Sequence, residues 1–228
     1  PTSNTVQFNA ASYASVEAST AVTVTVTRSG STSGAATVDY ATADGSATER
    51  RDYTTTLGTL RFASGESSKS FDVLINEDSF VEGAESFAVN LSNPSGASLG
   101  VAATAAIQIA DDSSEPAANV IDDASNYVGQ HYHDFLNRRA DPSGLSFWTN
   151  EILSCGANAS CIQIKRINVS AAFFLSIEFQ QTGYQVIRIY KSTFTDSSLH
   201  PRGFPRYREF LRDTQEIGRG VIVGQPNW

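Results

Sequence analysis

Glu77, Asp78, Glu82 and Glu85 stand within nine residues of one another, in the stretch from Leu74 to Phe87, with apolar positions on both sides. Carboxylates this close repel: at about 4 Å and an effective dielectric of about 20, each pair costs roughly 4 kcal/mol. A fold keeps such a cluster by turning it into water or by giving it a cation. Hard oxygen donors suit calcium, which accepts about six to eight of them in loose geometry, better than magnesium, which demands a tight octahedron. Catalytic chemistry has little to stand on. The imidazoles are His131, His133 and His200, and no Gly-x-Ser-x-Gly elbow accompanies them. His131 and His133 are two apart in a helical pattern, so their rings point roughly 200° apart and suit a partly buried helix better than one shared ion. Gly218-x-Gly220 follows a helical run, which makes it a cap and turn, not a dinucleotide loop. We therefore expect no enzyme.

The elements that must position the acids are strands. Ala21–Arg28 alternates without a fault, with Val22, Val24 and Val26 on one face and threonines on the other. Thr5–Asn9, Ala36–Thr42, Leu57–Phe62, Lys69–Ile75, Ser86–Leu91 and Ala103–Ile109 alternate too. Turn material separates them, as at Asp44-Gly45, Ser64-Gly65 and Asn93-Pro94-Ser95-Gly96. Seven such strands predict an immunoglobulin-like antiparallel β-sandwich over 1–112. Its core should hold Val38, Tyr40, Leu60, Phe62, Phe71, Val73, Phe87, Val89, Leu91, Ile107 and Ile109. If successive strands run up and down, the first, third, fifth and seventh end at one pole. The connections there carry Glu17, Asp52, then Glu77, Asp78 and Glu82, and finally Asp111-Asp112. Seven carboxylates arrive at one end and almost none at the other.

These residues also carry a resemblance. Val6-x-Phe8, Tyr13-x-x-Val16-Glu17, Val26-x-Arg28-Ser29-Gly30, Asp44-Gly45-x-Ala47, Asp52-Tyr53, Gly58-Thr59-Leu60-x-Phe62, Glu82-x-x-Glu85-x-Phe87 and Asp111-Asp112 resemble the Calx-beta domain, a calcium-binding sandwich. The resemblance implies Glu17, Asp52, Glu77, Asp78, Glu82, Asp111 and Asp112 as calcium ligands and Glu85 as an outer-shell carboxylate. Glu77 stands where Asp is usual, and Ser113 where a third Asp often extends the run, so one calcium position is weakened.

Ser113–Asn119, with Pro116, reads as a linker, and from 120 the apolar period changes from two to about 3.6. Five helices are predicted: Val120–Asn137; one starting at Asp141-Pro142, with Asp141 as cap and Leu145, Trp148 and Ile152 as its stripe; Ser160–Thr182, with Ile162, Val169, Phe173, Phe174 and Ile177, stopped near Gly183; Tyr184–Phe194; and Pro205–Ile217. The domain over 120–228 should be all-α. Asn137-Arg138-x-x-Asp141-Pro142-x-Gly144-Leu145-x-Phe147-Trp148 and Arg166-Ile167-Asn168-Val169-Ser170-Ala171-Ala172-Phe173-Phe174 resemble a bacterial helical domain of unknown function found in secreted and S-layer-associated proteins, distantly similar to phycobilisome linkers. That resemblance implies a non-catalytic module whose chain continues past Trp228.

Cys155 and Cys161 are the only cysteines. Such a pair makes a disulfide, half a metal site or two buried thiols; with no second pair and no His at zinc-finger spacing, a disulfide between the second and third helices is the expectation. It would place the chain in an oxidising compartment. Asn90, Asn158 and Asn168 head Asn-x-Ser sequons, which matter only if the host glycosylates.

Residues 1–118 hold 14 acids and 5 bases, and 119–228 hold 10 acids and 11 bases. This balance argues against nucleic acid as a partner, since phosphate binding needs concentrated positive charge. Arg202, Arg206, Arg208, Arg212 and Arg219 interleave with Glu209, Asp213 and Glu216, the pattern of local helix ion pairs or, in the sharper reading, of a surface for an acidic partner. No apolar run reaches the roughly 20 residues of a membrane span, and no signal peptide or initiating Met is present, as in a processed piece of something longer. The expectation is a calcium-binding structural protein, secreted to a bacterial cell surface. It would act in adhesion or in assembly of a surface layer or filament, with self-association or other surface proteins as partners. The alternative is a monomeric secreted module that recognises a glycan or a protein.

Overall fold

The computed structural model describes residues 4–111 and 119–218. The chain packs as two compact units, Pro1–Ala117 and Ala118–Trp228.

The first unit is a sandwich of two sheets. Its strands are β1 (Thr5–Phe8), β2 (Ser12–Val16), β3 (Ala21–Ser29), β4 (Ala36–Ala43), β5 (Leu57–Phe62), β6 (Ser68–Leu74), β7 (Glu85–Ser95), β8 (Ser98–Leu99) and β9 (Thr104–Ala110). One sheet has the order β6-β3-β1-β8 and the other β2-β9-β7-β4-β5. All seven predicted strands form. Two short ones were not foreseen, and both add parallel pairings to the expected antiparallel scheme: β2 beside β9 and β8 beside β1. The cause lies at the N-terminal end. β1 pairs with β3 in one sheet; the chain then crosses the sandwich, and β2 joins the other sheet at β9. Ser12 and Ala14 are too small to announce a strand, and the alternation of β2 exposes every second residue without burying the others fully.

Val22, Val24 and Val26 point inward from β3, as their alternation requires. Every expected core residue is buried except Phe71, which is partly so and stacks on Tyr40 with ring centroids 3.9 Å apart. Tyr53, Ala47 and Ile75 complete the core near the acidic pole. Tyr53 stacks on Phe87 at 3.8 Å and donates its hydroxyl to Asp44 Oδ1 at 2.5 Å.

The second unit is helical: α1 (Ala124–Leu136), α2 (Pro142–Leu153), α3 (Ala159–Leu175), α4 (Ile177–Gln181), α5 (Gly183–Thr193) and α6 (Tyr207–Gly218). Asp123 caps α1 by accepting from Ser125 and Asn126, and Asp141 caps α2 by accepting from Gly144 N at 2.7 Å, with Pro142 at its first position. The long third helix expected over 160–182 is two helices. Ser176 takes an extended backbone and caps α4 by accepting from Phe179 N at 3.1 Å, a capping signal hidden in an apolar run. Gly183 does not stop a helix but opens α5. A Cβ there would lie 2.9 Å from the Phe179 ring and 3.1 Å from that of Phe210.

Val128, Tyr132, Ile152, Val169, Phe173 and Phe179 form the core, closed by a two-pronged Arg138–Glu178 ion pair at 2.6 and 2.9 Å. Phe174 and Ile177, expected on the buried stripe, are exposed. Cys155 and Cys161 are joined in a disulfide that ties the end of α2 to the first turn of α3. His131 and His133 do not converge. His131 lies 2.7 Å from Ser170 Oγ and 2.8 Å from Tyr127 O, and His133 is buried in α1. Arg212 pairs with Asp213 at 2.9 Å, and Glu209 accepts from the Arg206 backbone; Arg219 and Gly220 lie outside the described residues. No helix among the described residues is long and apolar enough to cross a membrane.

Candidate metal centre

Four separate connections bring acids to one end of the sandwich. β2 ends at Val16, and Glu17 is fixed beside β9 by its backbone N–H, which donates to Ala110 O at 3.0 Å. Asp52 sits in the β4–β5 connection. Thr48 N donates to its Oδ2 at 2.6 Å, while Asn76 N donates to its backbone carbonyl at 3.0 Å, so the loop is pinned to the end of β6. Asp111 follows β9, and its Oδ2 accepts from Glu82 N at 3.2 Å and Gly83 N at 3.0 Å. Gly83 has φ +86°, a conformation that favours glycine, and it turns the chain from Glu82 into β7. Asp78 accepts from Phe80 N at 2.8 Å and shapes the same connection.

The result is a trio. Asp52, Glu82 and Glu85 each place one carboxylate oxygen within 4.8 Å of the other two. A cavity of about 10 Å³ opens among them, lined also by Glu17 and Asn76, the room for one water or one cation. Asp52 is buried and Glu82 and Glu85 are half-buried. Glu85, to which the resemblance gives an outer-shell role, stands in this trio because it opens β7 at the same pole. Next to the trio, Glu17 faces the charges of Asp78, Asp111 and Glu77, and it is 7% exposed. Burial first, and then these neighbours, push its carboxyl up to about 8. Burial and the adjacent Asp52 raise Glu85, partly offset by Arg51. Asp112 lies outside the described residues.

The donor set fits a hard divalent cation. All the groups are carboxylate oxygens, two of them are held against their own charge, and Asp111 Oδ1 is buried with no hydrogen-bond partner among the described residues. Two participants carried no sequence signal. Arg51, beside Asp52, forms an ion pair with Glu82, and Asn76 lines the cavity while donating its Nδ2 to Arg51 O at 3.1 Å.

The fold is a two-sheet sandwich that gathers carboxylates from four connections at one pole. Residues 2–113 match the model of the Calx-beta domain family. Residues 113–183 match the model of a domain of unknown function, DUF4214. Among curated relatives, the extracellular matrix organizing protein FRAS1 of Mus musculus is 37% identical over 116 residues, 49% of this chain and 3% of that protein. Sodium/calcium exchanger 3 of Homo sapiens is 44% identical over 87 residues, 38% of this chain and 9% of that one. The chain thus spans a small part of the relatives it matches. A solved structure, the apo-form Calx CBD1 domain, is 32% identical and aligns over 48% of this chain and 98% of its own, with a TM-score of 0.48.

Proposed function

We propose that this chain is a calcium-binding structural module of a bacterial cell surface, acting outside the cell in adhesion or in the assembly of a surface layer or filament. In this reading 1–112 is the calcium module, 113–119 the linker and 120–228 the helical module. Glu17, Asp52, Glu77, Asp78, Glu82, Asp111 and Asp112 hold calcium, with Glu85 joining Asp52 and Glu82. One observation carries the reading: carboxylates that repel one another surround a cavity of ion size. Bound calcium supplies the positive charge that these groups lack. Asp52 and Asp111 are already oriented by backbone N–H donors, so little ordering remains to be done when an ion arrives. The Cys155–Cys161 disulfide supports an oxidising compartment, and a relative named as an extracellular matrix organiser agrees with it.

Thermal melting in calcium and in chelator tests the metal reading. Calcium at about 100 times its Kd should stabilise the sandwich by about 2.7 kcal/mol, and Asp111→Asn should remove most of that gain. Coincident melts with and without calcium would end the proposal.

A further inference from the structure

α3 carries apolar residues on both faces. Val169 and Phe173 point into the helical core. At 100° per residue the opposite face carries Ile164, Ile167, Ala171, Phe174 and Leu175. Ile164, Ile167, Phe174 and Leu175 are 59%, 61%, 46% and 70% exposed. The positions 164, 167, 171 and 174 follow the three-four spacing of a helix-pairing seam. No charge lies on that seam. Its flanks are Gln163 and Asn168, and the nearest cations are turned aside: Lys165 pairs with Glu151 at 2.6 Å, and Arg166 lies over the Tyr127 ring at 4.0 Å.

We infer that this face is a self-association surface, on which α3 of a second copy of this chain lies antiparallel. Three features select that occupant. A two-fold axis at the level of Val169 sets Ile164 against Phe174 and Ile167 against Ala171. Each remaining layer then pairs its mirror image, and the small Ala171 always meets a larger side chain. A parallel pair would instead oppose Ala171 to Ala171 and Phe174 to Phe174, leaving a gap beside a crowded layer. Second, the seam is uncharged, so copies of an acidic chain, with net charge −8, meet there without repulsion. Asn168 of each copy falls near the axis, where the two amides reach each other and fix the register. Third, the area suffices. Side chains of these sizes and exposures, with their polar flanks, offer on the order of 500–600 Å² per copy, about 1,000–1,200 Å² in the pair, the lower edge of a specific interface.

This inference names a partner for the assembly proposed above. It does not depend on calcium, since α3 belongs to the helical unit and the acids to the other. Analytical ultracentrifugation of the whole chain, in calcium and in chelator, tests it. The expected result is a monomer–dimer equilibrium in both, weakened at least about tenfold by Ile167→Glu, with the circular dichroism and melting of that exposed-site variant unchanged. Adding Ala171→Lys to Ile167→Glu should restore the dimer, because the antiparallel pair sets the new charges opposite one another. A strict monomer at high concentration overturns the inference, as does a dimer untouched by Ile167→Glu. A monomer that binds lipid vesicles through the same residues would give the face to a membrane surface instead. Failure here leaves the calcium melts intact, so the two readings fall separately.

Discussion

Glu17 makes the sandwich pH-dependent in a direction opposite to most carboxylates. Its pKa is pushed from an ordinary 4.5 up to about 8 by burial and by Asp78, Asp111 and Glu77. Between these values the folded chain keeps a proton that the unfolded chain has lost. Stability from this group is therefore fully present below about pH 4.5 and is lost as pH rises through about 8. At 1.36 kcal/mol per unit, the loss in chelator is on the order of 4 kcal/mol for a side chain this buried. A domain of this size moves by about 4–8 °C per kcal/mol, so the melting temperature of the sandwich should fall by more than about 10 °C between pH 5 and pH 8.5. Thermal melts followed by near-ultraviolet circular dichroism of Tyr40 and Tyr53, which the sandwich core holds, would read it. Calcium should flatten the profile, and its binding at pH 7 should release a proton, visible as a buffer-dependent heat. Glu17→Gln should lose most of this slope in chelator, keeping the smaller part that Glu85 contributes, and should be more stable than the parent at pH 8.5. A chelated parent whose melting temperature does not fall over this range would refute the argument.

Arg51 competes with any cation for Glu82, so Arg51→Gln should tighten calcium binding severalfold in titration calorimetry, and a weakened affinity would count against the ion pair as competitor. In the helical unit the slope runs the other way: burial lowers the pKa of His131, so stability is present above about pH 6.5 and is lost as pH falls toward the folded value. Trp148 fluorescence in acid melts should show this, and His131→Gln should abolish it. Reducing Cys155–Cys161 should cost the helical unit roughly 2–3 kcal/mol by loop entropy, read as an earlier loss of the Trp148 signal, and unchanged melting would assign the bridge no stabilising role.

Much of this was legible because the sandwich obeys simple alternation. Val22, Val24 and Val26 declare β3, and strand parity alone brings Glu17, Asp52, Glu82 and Asp111 to one end. What escaped did so for local reasons. β2 places Tyr13 and Val16 on opposite faces among Ser12, Ala14 and Ser15, so it shows no apolar alternation. Glu85 was expected beside a strand starting at Ser86, and only three-dimensional placement shows that it is the first residue of β7 and that its carboxylate stands with those of Asp52 and Glu82. The break at Ser176 is a cap inside an apolar run, and periodicity reads straight through it. The same blindness merged the two faces of α3: Phe173 and Phe174 are adjacent in sequence and point to opposite surroundings.

The parallel pairing of β2 with β9 has a mechanical consequence. Five residue pairs join Ser12–Val16 to Ala106–Ala110, both strands running the same way. Tension carried along the chain enters this ladder at Ser12 and leaves it past Ala110, at opposite ends. The pull therefore lies along the strands, and the ladder's backbone hydrogen bonds share the load in shear; none can be peeled off in turn. Glu17 sits directly after that ladder and Asp111 directly after its partner, so an ion held between them would clamp the end at which slippage must begin. Under tension the module would then resist extension by an amount set by the calcium in its surroundings.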